Sequence, residues 1–157
     1  MYKNENFKPD YTPVEMIELG IFGGAYFNEP KVFEKTCYDW TFFVPTEFLK
    51  EIDLKLIYPR KLYAQYNKEY NKYKTDCGSD FDFWTEKGWI CDLDPYGWFN
   101  WYINYHYGRR CFDDERQIKR WLNFKVRHGG TLRKYPNSIK TKQNLLHWAI
   151  NYEKLNK

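Results

Sequence analysis

At 157 residues the chain has the length of one domain, long enough to bury a core without staples. Hydrophobic residues make up 43% and charged residues 29%, which excludes a disordered chain, and no apolar run approaches the roughly 18 residues of a membrane-spanning helix. The net charge of +4 is unevenly placed: residues 1–104 carry −5, and residues 105–157 carry +9.

Residues 1–11 are polar and predict a poorly ordered segment ahead of a single globular domain over 12–157. Thr12-Pro13 predicts a short helix, with Thr12 as N-cap, Pro13 in the first helical position and Glu15 in the third. Val14, Ile17 and Met16 supply its buried side, and Gly20 stops it. Residues 20–27 place three glycines among apolar side chains, which implies tight packing or positive φ. No Lys-Ser/Thr follows, so this is not a phosphate-binding loop. Residues 37–44 are the strand candidate, with a buried turn as the other reading. Pro45-Thr46 opens a helix to about Ile52. Residues 57–76 are polar and tyrosine-rich and read as a loop, and Ser79 caps a predicted helix over 80–87.

The second half is more regular. Asp94 predicts an N-cap with Pro95 behind it, for a helix running to about Tyr107 and ended by Gly108. Trp98, Trp101, Tyr102 and Tyr105 fall on one face of it. Asp113 predicts the cap of the next helix, with Asp114 and Glu115 in its positive first turn. That helix is expected to run to about Arg127 and stop at Gly129-Gly130, with Ile118, Trp121 and Leu122 inward and Arg116, Lys119, Arg120 and Arg127 outward. A last helix begins near Thr141 and carries Leu145, Leu146, Trp148, Ala149 and Tyr152. The expected fold class is mainly α, several short helices in one compact domain with little or no β; the alternative is α+β with a small N-terminal sheet.

The cysteines Cys37, Cys77, Cys91 and Cys111 are 40, 14 and 20 residues apart. They fit neither a zinc site nor a disulfide framework and read as isolated reduced thiols. The first residues hold no apolar stretch. An intracellular location, cytoplasmic or nuclear and not secreted, is therefore the expectation, with no metal and no cofactor.

Several short motifs follow one another in a characteristic order. They are GIFGGAYF from Gly20, KGWI from Lys87, DPYGWFNWY from Asp94, GRR from Gly108, DDERQIKRW from Asp113 and LLHWA from Leu145. In this the chain resembles a widespread, largely uncharacterised family of small proteins, over most of residues 13–149. Tyr96 stands where the family pattern has Arg, so no role at that position carries over. The resemblance implies a single compact domain and brings no activity with it.

Function must therefore be read from the residues. Between Arg116 and Lys142 there are nine cations and no acid. A solvated helix normally mixes both signs, so the stretch points to an anionic partner, of which nucleic acid is the commonest. The leading expectation is a nucleic-acid-binding domain. It would contact phosphates through Arg109, Arg110, Arg116, Lys119, Arg120, Arg127, Arg133 and Lys134, with bases stacked on Trp98 or Trp101. Arg127-His128-Gly129-Gly130 reads either as a turn whose amides face an anion, with His128 beside it, or as an ordinary helix C-cap. Two alternatives stand beside this reading. One is a small nucleotide- or nucleic-acid-processing enzyme, using a carboxylate among Asp92, Asp94, Asp113, Asp114 and Glu115 with His106 or His128 in proton transfer. The other is a protein-interaction module anchored by exposed aromatics. His147, inside a Leu/Trp stretch, reads as a core residue, and no membrane partner is expected.

Overall fold

The computed structural model describes residues 7–19, 43–54, 72–73, 93–94 and 97–155. These contain five α-helices and a closing 3-10 turn, with no strand among the described residues. The helices are α1 (Pro13–Glu18), α2 (Thr46–Leu54), α3 (Trp98–His106), α4 (Asp114–Lys134) and α5 (Ile139–Leu146), and the 3-10 turn is Tyr152–Lys154. The mainly helical class read from the sequence is the observed one. The glycine-rich segment, the predicted helix over 80–87 and most of the 57–76 loop lie outside the described residues. Of the strand candidate only Phe43 and Val44 are described, and neither is in a strand.

The start of α1 follows its sequence signature. The Thr12 hydroxyl accepts from the Glu15 amide at 3.2 Å, and the Thr12 amide donates to Glu15 Oε1 at 2.8 Å, a reciprocal capping box. Val14, Met16 and Ile17 are buried, as expected. Helix α2 buries Phe48 and Ile52, one turn apart.

Helix α3 starts later than predicted. Asp94 is not its cap; Gly97 holds that position at φ 103°, and its amide donates to the Asp94 carbonyl at 3.0 Å. The Asp94 carboxylate is taken by a guanidinium instead, a charged donor that outcompetes a helix amide. The predicted stop at Gly108 holds. Its φ of +110° lets its amide reach the Tyr105 carbonyl and the Arg109 amide reach that of Asn104, both at 3.0 Å, a closure that favours glycine. The expectation of one buried face was too narrow, because every residue from Trp98 to Tyr105 is buried. The polar members are satisfied internally. Asn100 and Asn104 both donate to the Phe43 carbonyl, at 3.1 and 2.8 Å.

Helix α4 differs most from its prediction. It does not stop at Gly129-Gly130 but continues to Lys134, 21 residues in all. Each helical glycine costs about 1 kcal/mol against alanine. Packing outweighs that cost, because the buried stripe of Ile118 and Trp121 continues through Gly129 to Leu132. The helix ends where Pro136 disfavours helical geometry in the residue before it. Asp113 occupies the cap position but makes no capping bond, its carboxylate being engaged by Arg116 and Gln117. Helix α5 begins at Ile139 rather than Thr141, because Ser138 caps it through the Thr141 amide.

The segment before α1 is docked from Phe7 onward, unlike the loose start expected over 1–11. Phe7 is buried and meets the rings of Trp98, Trp101, Tyr102, Tyr105 and Trp121 at centroid distances of 5.0 to 6.2 Å. The Asp10 amide donates to the Ala149 carbonyl, and its carboxylate accepts from the Asn151 amide, both at 2.8 Å. The Tyr102 hydroxyl donates to the Tyr11 carbonyl.

Trp121 links α4 to the chain end, its indole donating to the Trp148 carbonyl at 2.6 Å. Trp121→Ala should therefore cost about 3–5 kcal/mol in urea unfolding. A loss under about 1 kcal/mol would show that this ring is not core.

Candidate nucleic-acid interface

Helix α4 separates its residues into two sides. Asp114, Gln117, Ile118, Trp121, Gly129 and Leu132 are buried. At about 100° per residue, Arg116, Lys119, Arg120, Arg127, Arg133 and Lys134 fall within an arc of roughly 140° on the other side. Glu115, in the first turn, is the acid on that side, where the helix dipole favours it. Running through the glycines makes this a single face, with Lys119 and Lys134 about 22 Å apart along the axis.

The cations differ in how far they are committed to the protein. Arg116 is half-buried and binds Asp113 through Nε and Nη2, at 2.5 and 2.9 Å. Arg120, also half-buried, donates to Gln117 Oε1 at 2.8 Å and lies 5.3 Å from the Trp148 ring. Lys119, Arg127, Arg133 and Lys134 are exposed. The ion pairs among the described residues are Arg109–Asp94, Arg116–Asp113 and Lys154–Asp10, so those four exposed cations have no carboxylate partner there.

Arg109 and Arg110 do not join this face. Arg109 forms a two-pronged pair with the fully buried Asp94, Nη1 to Oδ1 at 2.8 Å and Nη2 to Oδ2 at 2.5 Å. Asn104 donates to the same Oδ1 at 2.8 Å. Arg110 lies over the Tyr105 ring at 3.7 Å and donates to the Tyr105 and Arg109 carbonyls, each at 2.9 Å. Both arginines act as ties within the fold.

The predicted aromatic platforms are corrected by burial. The Trp98 indole donates to the Gln117 carbonyl at 3.3 Å and the Trp101 indole to Asp114 Oδ1 at 2.9 Å. Both side chains are enclosed in the core, so neither offers a face to a base. The anion-binding turn at Arg127–Gly130 is corrected as well. These residues are helical, and their amides are committed to the helix. His128 stacks on Phe124 at 3.7 Å between centroids, and Trp148 stacks on Phe124 at 4.6 Å. Burial and the neighbouring Arg127 charge lower the pKa of His128, which keeps it neutral at pH 7.

The acids offered for catalysis are largely occupied. Asp94 holds Arg109, Asp113 holds Arg116 and Gln117, and Asp114 accepts from Trp101 and from the Cys111 amide at 3.0 Å. Asp92 lies outside the described residues, as do Cys37, Cys77 and Cys91. No group of His, Cys, Asp and Glu among the described residues could hold a metal ion. Cys111 is a free, half-buried thiol 3.3 Å from Asp114 Oδ1, and burial raises its pKa. Burial likewise lowers the pKa of the exposed-edge His106. No helix among the described residues is long and apolar enough to cross a membrane.

Sequence reasoning missed two features of this region. One is Asp94 as the buried partner of Arg109, a contact across 15 positions that no local pattern encodes. The other is the unbroken cationic face through Gly130. Its signal was present, since the 3.6-residue period of buried positions continues to Leu132.

Asp94→Asn should leave the Arg109 guanidinium without its counter-charge and cost about 3 kcal/mol in chemical denaturation. The low end of the usual range applies because Arg109 reaches solvent. A change within about 0.5 kcal/mol would make the pair incidental to stability. His147 gives a pH signature. Burial pushes its pKa from 6.5 down to about 4, so the unfolded chain takes up a proton that the folded chain refuses. Its contribution to stability is complete above about pH 6.5 and is lost as the pH falls toward 4, by at most about 1.4 kcal/mol per pH unit. His147→Gln should flatten that part of the stability–pH curve, and an unaltered slope would place the titration elsewhere.

Comparison with known proteins finds no matching family model, no matching curated protein and no matching solved structure.

Proposed function

We propose that the protein binds nucleic acid through the solvent face of α4, with Lys119, Arg127, Arg133 and Lys134 as its principal phosphate contacts and Arg116 and Arg120 on its flank. The observation that carries this reading is the set of four exposed cations, without carboxylate partners among the described residues, on one side of a 21-residue helix. A rigid helix packed on one side holds such charges at fixed spacing, and a polyanion with regularly spaced phosphates is the complementary ligand. Arg fits phosphate through a two-pronged donor set, and Lys adds a mobile point charge.

Protein docking has less support. Among the described residues the exposed large apolar side chains, Leu93, Phe112, Val126, Tyr135 and Ile139, are spread from ahead of α4 to the start of α5. Enzymatic processing has less still, because Asp94, Asp113 and Asp114 are all engaged within the fold.

Combined replacement of Lys119, Arg127, Arg133 and Lys134 by Ala should weaken binding to labelled DNA or RNA at low salt by more than about tenfold. It should also make the log–log salt dependence shallower by roughly three. The thermal midpoint should move little, since all four side chains are exposed. Fluorescence anisotropy across a salt series measures both quantities. Unchanged affinity and slope would remove this face from the reading.

A further inference from the structure

Two glycines interrupt the chemistry of α4 without interrupting its geometry. Neither has positive φ, and neither is demanded by packing among the described residues. A Cβ at Gly130 would meet only the Arg133 guanidinium there, 3.8 Å from Nη2. One at Gly129 would meet Arg133 Nη1 and Leu155 Cδ1, each at 3.8 Å. These are ordinary contact distances, and alanine at either place would favour the helix.

The two positions point in different directions. Gly129 is buried. Gly130 lies near the middle of the cationic arc, one turn after Val126 and Arg127 and one turn before Arg133 and Lys134. At Gly130 the arc therefore has a half-buried position with no side chain of its own. The Arg133 guanidinium lies beside it, Arg127 and Lys134 flank it, and these three cations have no carboxylate partner among the described residues.

The arc contains no aromatic residue. Single-strand binding depends on aromatic platforms for the bases. At the flank, Phe124 stacks against both His128 and Trp148, and the Trp148 ring also lies 5.3 Å from Arg120. The exposed Phe112 precedes the helix, and the exposed Tyr135 follows it directly, its ring 5.6 Å from Lys134 Nζ. A cationic arc with no platform at its middle, among the described residues, suits a ligand whose bases are already stacked on one another.

We propose that the ligand class is duplex nucleic acid and that Gly130 is where its phosphodiester backbone comes closest to α4, within reach of Arg127, Arg133 and Lys134 together. This rests on the reading of α4 as the nucleic-acid interface. The missing side chain is the specific device: it lets the backbone of the duplex approach the helix and so engages three charges at one place.

The test is anisotropy binding of the full chain, wild type against Gly130→Leu, to a short duplex and to its single strand across a salt series. The wild type should prefer the duplex. Gly130→Leu should weaken duplex binding about tenfold and make the salt slope shallower, because the phosphates no longer come within reach of all three charges. Its thermal midpoint should not fall, leucine being the better helix former. Gly130→Ala, the smaller change, should give a lesser loss in the same direction and serves if the leucine variant folds poorly. Steep, salt-dependent duplex binding that neither substitution weakens would overturn the role of Gly130 while leaving the cationic face in place. Tighter binding to the single strand would overturn the ligand class. No binding by the wild type at low salt would overturn the interface itself.

Discussion

Helix α3 is buried on every side from Trp98 to Tyr105, and the neighbouring elements are arranged to satisfy it. A buried polar group without a partner costs about 1–3 kcal/mol, and this helix carries buried indole, amide and hydroxyl donors. Trp98 and Trp101 find the first turn of α4, Asn100 and Asn104 find Phe43, and Tyr102 finds Tyr11. Those bonds fix where α4 begins, where the chain entering α2 runs and where the N-terminal segment lies. Phe7 then closes the cluster, with rings of α3 and α4 packed around it.

The same constraint orients the basic helix. Once Asp114, Gln117 and Trp121 are committed to α3 and to the chain end, the rotation of α4 about its axis is set. The opposite side, with Lys119, Arg127, Arg133 and Lys134, must face solvent. Charge and core are therefore coupled. The core aromatics are not part of the solvent face, but their packing determines which cations reach it.

Burial also redistributes roles among residues of the same type. Arg109 and Arg110 sit next to an aromatic helix in the sequence and share the composition of a binding motif, yet one is paired to a buried carboxylate and the other lies flat on a tyrosine ring. Arg127 and Arg133 have the same side chain and no carboxylate partner among the described residues. A guanidinium held by a buried acid has little left to offer a phosphate, whereas an exposed one exchanges water and counterions for it.

The sequence alone was enough for the elements whose signals are local. The Thr12–Glu15 capping box, the stop at Gly108, the inward Ile118 and Trp121 and the cationic bias after Arg116 each depend on residues within a turn or two of one another. Three matters depended on the tertiary structure, each because a distant partner outweighs a local preference. Asp94 gave up its predicted cap when Arg109 reached it. Gly129-Gly130 did not end α4, since Leu132 beyond them had a core to enter. Trp98 and Trp101 lost any role as stacking platforms because α3 has no exposed face. Periodicity shows that a side chain belongs to a face of its helix, but only packing decides whether that face meets water.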